Sequence, residues 1–231
     1  MGILRKIVSY VFVISIVIIT LFTAIDLAAV KDRKFYKEQY IENGTYNAID
    51  IEEDELMHVT DVLLDYMTGK TDFLYVEAYY NGKTQDFFDE TEKAHMVDVR
   101  NLFVAGINLR RVLIAVAILS VIFLAATGKN TLNMLSKAYI IFTTAVIAIF
   151  AVLIAVISRD FTAAFIKFHE MFFTNELWVL DPSVSKLINM VPEPFFINTA
   201  VRIGILFGAV LIVLYALSVY ILIRHKKAQG D

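Results

Sequence analysis

The sequence contains no cysteine. That absence excludes a disulfide framework, a thiolate metal centre, an iron–sulfur cluster and a cysteine nucleophile, whichever redox compartment the chain faces. Charge is scarce too, at 19% of 231 residues, and nearly balanced at a net −3. Nucleic-acid recognition needs a clustered basic excess, so no nucleic-acid partner is expected. The nine glycines form no phosphate-cradling loop, and no internal repeat or low-complexity tract is present. No Gly-x-Ser-x-Gly elbow occurs, and Ser158, Ser183 and Ser185 have no evident base partner, so a covalent acyl-enzyme is not favoured. Apolar residues take the remaining space. At 58% hydrophobic, the composition exceeds that of an ordinary soluble domain and reads as a membrane protein.

Uninterrupted apolar runs occupy residues 7–25, continuing through Asp26 to Val30, then 112–128, 138–158 and 203–223. At about 1.5 Å per residue each nearly or fully crosses a hydrocarbon core of about 30 Å, the shortest with Arg110 and Arg111 snorkelling. The expected layout is therefore a transmembrane helix over 1–30, an extracytoplasmic cap over 31–106, and transmembrane helices over 107–128 and 137–158. An outer aromatic loop over 159–198 and a last transmembrane helix over 199–224 complete it. The first run is too long for a signal-peptide core and is read as a retained anchor. Arg5, Lys6, Lys129, Lys137, Arg224, Lys226 and Lys227 place both termini in the cytoplasm. Lys31, Arg33, Lys34 and Lys37 point the other way, but they begin a long segment, which translocates largely regardless of charge.

The cap holds 17 of the 24 acidic residues. Leu56, Val59, Leu63 and Tyr66 predict an amphipathic helix over 52–67, with Gly69 as its terminator. Residues 73–80 read as a strand, and Asn81-Gly82 predicts a hairpin paired through Phe88. Asp89 and Glu92 have capping-box spacing at the start of a helix over 89–103, with Met96, Val99, Leu102 and Phe103 on its buried side. In the outer loop, Asp160 caps a helix whose Phe161, Phe165, Phe168 and Phe172 make one stripe, with His169 beside it. Such a helix should lie along the membrane surface, broken at Asp181-Pro182; another short turn follows over 184–190, and Pro192 and Pro194 prepare the last span. The fold class expected is a four-transmembrane-helix bundle with a small α/β extracytoplasmic cap and an aromatic interfacial helix.

Of four histidines, His58 and His225 read as surface residues. His95 and His169 fall in apolar, aromatic segments where the cap meets the outer leaflet, and imidazole titrates near neutrality, which suits proton transfer. The blander alternative is that each satisfies a local hydrogen bond. A metal site is poorly supported: after His169-Glu170 the position of a second zincin ligand is Phe173, and His95, Asp98 and His169 would need an unproved contact. No metal is expected. Asp26 is an intramembrane ionisable group and so a functional candidate, with Arg110 either its partner or a snorkelling cation.

The segments A-H-M-V-D-V-R at 94–100 and F-H-E-M-F-F-T-N-E-L-W-V-L-D-P-S at 168–183 resemble the lipoprotein intramolecular transacylase family of Gram-positive bacteria. The similarity extends to the layout of the whole chain, including P-E-P-F-F at 192–196. It implies a cofactor-free plasma-membrane enzyme with an extracellular cap. Such an enzyme moves the sn-2 acyl chain of a diacylglyceryl lipoprotein to the α-amine of its N-terminal cysteine, giving the lyso form. It also implies that His95 and His169 are the catalytic pair. The chemistry fits the residues: an α-amine of pKa near 8 must lose a proton, one histidine can accept it, and the other can meet the oxyanion or protonate the glycerol oxygen. Phe172, Phe173, Trp178, Phe195 and Phe196 are candidates for an aromatic cage around the reacting ends, or for an interfacial belt. Asp98, Arg100, Asn175 and Asp181 are supporting polar candidates. Partners are then the diacylglyceryl lipoprotein and membrane lipids. The rival readings are a membrane lipid or peptide hydrolase, with or without a metal, and a non-enzymatic sensor whose acidic cap binds a partner.

Overall fold

The computed structural model describes residues 2–230. Among the described residues four helices are long and apolar enough to cross a membrane: Gly2–Lys31, Glu90–Ala126, Thr131–Ile157 and Glu193–Ala228. The first comprises α1 (Gly2–Asp26) and a π-helical turn over Leu27–Lys31; the short helices α2 (Arg33–Glu42), α3 (Thr45–Ile49) and α4 (Glu53–Met67) follow. Strands β1 (Glu77–Tyr80) and β2 (Lys83–Asp86) precede α5 (Glu90–Ala126) and α6 (Thr131–Ile157), and then come α7 (Phe161–Phe172), α8 (Lys186–Met190) and α9 (Glu193–Gly230). The chain divides into two compact units, one of residues up to 25, 108–159 and from 202 onward, the other of 26–107 and 160–201.

In the first unit Val13, Val17, Ala138, Tyr139, Phe207 and Leu211 are buried together, and Tyr139 donates to the Leu211 carbonyl at 3.3 Å. Much of the rest of its apolar surface is bare: Val152 is 64% exposed and Val213 66%. Helices satisfy their own backbone groups and leave side chains outward, so such a surface is at equilibrium against hydrocarbon.

The second unit has a conventional core. Leu56, Val59, Leu63 and Tyr66 of α4 are all buried, as the three-to-four spacing requires, and they pack with Tyr40, Phe87, Phe88 and Met190. Gly69, at φ +75, closes α4 by donating to the Tyr66 carbonyl. The antiparallel hairpin pairs Glu77 with Asp86 and Tyr80 with Lys83, and its two turn residues, Asn81 and Gly82, both take positive φ (51 and 77). A two-residue turn of that twist demands this conformation, and Asn-Gly tolerates it. Asp160 caps α7 through the Ala163 amide at 2.9 Å, and Ser185 caps α8.

Four expectations need correction. The helix over 89–103 and the span from 107 are one continuous α5, because a lone glycine such as Gly106 costs a helix only about 1 kcal/mol, too little to break it. The last helix starts earlier than 199, at Glu193, with Pro194 in the first turn where its missing N–H goes unneeded. Strand β1 begins at Glu77 rather than 73; Phe73 is 84% exposed, and β2 is too short to pair with it. Helix α7 ends at Phe172, well before Asp181-Pro182. Phe173 is extended, and Asn175 Oδ1 accepts the Leu177 amide at 3.0 Å, a local bond that competes with helix continuation.

Candidate active site

His95 sits in the second turn of α5, ahead of that helix's apolar stretch, and His169 in the last turn of α7. Their ring centroids are 6.1 Å apart with the planes inclined by 35°. Both rings are buried, at 7% and 8% exposure. His169 Nδ1 lies 2.7 Å from the Phe165 carbonyl oxygen. A carbonyl only accepts, so Nδ1 holds the proton and the neutral ring carries its lone pair on Nε2. His95 Nδ1 is buried without a hydrogen-bond partner, a polar atom whose desolvation nothing in the protein offsets.

Electrostatics keep both rings neutral near pH 7. Burial, with a smaller push from the neighbouring His169 and against the opposing pull of Asp98, lowers His95 to about 4. Burial also lowers His169, against the opposing pull of the Phe165 carbonyl. Trp178, the sole tryptophan, stacks on His169 at 4.9 Å and 31°. A protonated imidazole accepts an electron from an excited indole, so Trp178 fluorescence should be quenched as acid protonates His169. The midpoint is expected below the ordinary imidazole value of about 6.5, and the transition should vanish in His169→Gln; a midpoint at or above 6.5 would contradict the buried neutral ring.

The aromatic candidates separate by contact. Phe173 lies 5.4 Å from both histidine rings, Trp178 lies on His169, and Phe196 is one ring removed, against Phe165, whose own ring is 4.1 Å from His169. Phe172 is turned away, 48% exposed and paired with Phe168. Phe195 belongs to the core of its unit, between Phe35 at 5.5 Å and Tyr36 at 5.1 Å, because the first turn of α9 points it inward.

Among the polar candidates, Asp98 Oδ2 accepts from Asn175 Nδ2 at 2.8 Å. Arg100 instead binds Asp72 at 3.1 Å and lies over the Tyr66 ring, so it braces the loop after α4. Asp181 accepts the Ser183 amide within its own turn. Asp26 is the last residue of α1, while Arg110 Nη1 reaches the Phe22 carbonyl at 3.5 Å. Among the described residues no three His, Asp or Glu side chains are gathered closely enough to hold a metal ion.

Glu92 has a larger part than its capping-box reading. It is 0% exposed, and while Oε2 accepts the Asp89 amide at 2.9 Å, Oε1 accepts from Ser185 Oγ at 2.6 Å and from the Leu187 amide at 2.7 Å. Glu92 and Asp98 stand three residues to either side of His95, near one helix face. They tie down the two ends of the strap that carries Trp178. Beyond the capping-box spacing with Asp89, the only sequence signal was a carboxyl group one turn before a histidine. Phe165 likewise showed only as part of a stripe.

A family profile described as the lipoprotein intramolecular transacylase Lit matches residues 10–196, most of the chain. The chain belongs to this family. A solved structure of the transacylase Lit from Bacillus cereus superposes with a TM-score of 0.77 at 24% identity, covering 100% of both chains. Two variants of that enzyme, one with a histidine changed to arginine and one to alanine, give TM-scores of 0.72 at 24% identity, over 100% of this chain and 96% and 97% of theirs. At that identity the structural likeness is one of fold. No curated protein sequence matches significantly. As a transacylase of this family, the protein is a multi-pass membrane acyltransferase acting within a lipoprotein.

Proposed function

We propose that the acyl chain moves from the sn-2 oxygen of the S-diacylglyceryl group to the α-amine of the lipoprotein's N-terminal cysteine, with His169 as general base and His95 as oxyanion donor. The observation that carries the assignment is the bond between His169 Nδ1 and the Phe165 carbonyl. It leaves Nε2 as the acceptor, and it stabilises the imidazolium that forms when the amine's proton arrives. Nitrogen attacks the ester carbonyl, the C–N bond forms, the sn-2 C–O bond breaks, and the proton on His169 passes to the departing glycerol oxygen. His95, neutral and with an unpartnered buried nitrogen, meets the developing oxyanion. Attacker and ester share one molecule, so holding both against Phe173 and Trp178 supplies rate through proximity. The unit of residues 26–107 and 160–201 is the extracytoplasmic cap in this reading, both termini are cytoplasmic, and no cofactor takes part.

The reading is tested by co-expressing the protein with a lipoprotein in a host that leaves it diacylated with a free amine. Acyl migration conserves mass, so the N-terminal lipopeptide must be fragmented. The expected ions show one acyl chain as an amide on cysteine and one on glycerol. A free-amine lipopeptide lacking one chain would overturn transfer in favour of hydrolysis, and an unchanged lipopeptide would overturn both.

A further inference from the structure

The first unit contains no Asp or Glu among its described residues. One end of it nevertheless gathers the start of α1, the α5–α6 turn and the last turns of α9, with Arg5, Lys6, Lys129, Arg224, Lys226 and Lys227. Arg5 is only 8% exposed. Its Nη2 is held by the Lys129 carbonyl and Thr131 Oγ1, both at 3.3 Å, and its Nε is buried without a partner. The guanidinium lies so close beneath the turn that a Cβ on Gly128 would fall 1.4 Å from Nη1. Among the described residues this cation has neutral partners only, so the end of the unit carries uncompensated positive charge.

A groove of about 610 Å³ opens at this turn. Asn130, Asn133 and Arg224 line its polar part, and Leu132, Tyr220 and Ile221 its apolar part. Leu132 is 67% exposed and Tyr220 58%. A ligand matching both parts carries negative charge at one end and hydrocarbon at the other. We propose that this groove binds one anionic phospholipid, its headgroup phosphate between Arg224 and the two asparagines and its acyl chain along Leu132 and Ile221. Basic pockets between membrane helices bind anionic headgroups by this combination of charge and apolar wall. A free anion would satisfy the polar part and leave the apolar part bare.

Full-length protein, purified in detergent, is titrated with phosphatidylglycerol, with phosphatidylcholine of the same chains, and with inorganic phosphate, and read by native mass spectrometry and thermal unfolding. The expected result is retained phosphatidylglycerol with a raised unfolding temperature, about fivefold weaker binding in Arg224→Gln, and near-complete retention in Arg224→Lys. Arg224 is exposed, so both variants should fold. Equal retention of the two lipids, or phosphatidylglycerol binding indifferent to Arg224→Gln, would overturn the site. The same protection from inorganic phosphate alone would overturn the lipid assignment.

Discussion

Replacing His169 by alanine is expected to slow acyl transfer by about 10²–10⁴-fold, the range that a positioned acid–base group supplies. His95→Ala should cost a comparable factor through loss of the oxyanion donor. The two rings are 6.1 Å apart, and in the proposed mechanism they serve one transition state, so the double variant should be hardly slower than the worse single one. His169→Gln is the sharper probe, because its amide fills similar space yet cannot take the proton. Time courses of the fragmented lipopeptide give the rates, and thermal unfolding checks that each variant is folded. A folded His169→Gln enzyme with an unaltered rate would end the general-base assignment, and multiplicative effects in the double variant would mean that the histidines serve separate steps.

Glu92→Ala is expected to be the most destabilising single change near the site. Three donors lose their acceptor at once: Ser185 Oγ, the Leu187 amide and the Asp89 amide. The first two are buried, and a buried donor left unsatisfied costs about 1–3 kcal/mol, so the sum is about 2 kcal/mol or more, which corresponds to about 4–8 °C in a chain of this size. The strap should detach at that end and carry Trp178 off His169, shifting its emission to the red and removing its acid quenching. Asp98→Asn retains an oxygen for Asn175 Nδ2 and should leave Trp178 in place, which separates loss of the tie from loss of charge. If Glu92→Ala unfolds at the wild-type temperature with unchanged emission, the strap is held by something else.

The elements legible in the sequence were those whose reasons are local. The four apolar runs announce themselves by length, α4 by the spacing of Leu56, Val59, Leu63 and Tyr66, the hairpin by Asn81-Gly82, and the start of α7 by Asp160. Helix α2 was not legible: Phe35, Tyr36 and Tyr40 are buried, but the fourth buried residue is the polar Gln39, which blurs the apolar period. The end of α7 was misplaced because an Asn175 side-chain bond, not the later proline, favours the extended chain. Phe195 and Phe196 looked equivalent as neighbours in sequence, yet one faces the core and the other Phe165, a division made by the rotation of α9. No spacing in the sequence tells that His95 and His169, on helices far apart along the chain, share one aromatic pocket; the short motif at 94–100 and the long one at 168–183 carried that expectation only through resemblance.

The two ties flanking His95 also bear on which insertions and deletions the chain can survive. Each residue added to a helix turns everything beyond it by about 100°. One residue inserted between Glu92 and Asp98 would therefore swing one tie or the other away from its partner and change the aim of the imidazole. The stretch between Trp178 and Ser185 is held by its own turns, such as the Asp181 bond to the Ser183 amide, by Leu180 against the core and by the Asn189 bond to the Pro182 carbonyl, and among the described residues by no tie to α5. Over evolutionary time, length variation should accumulate in that part of the strap, while the seven residues of α5 that grip it keep their count.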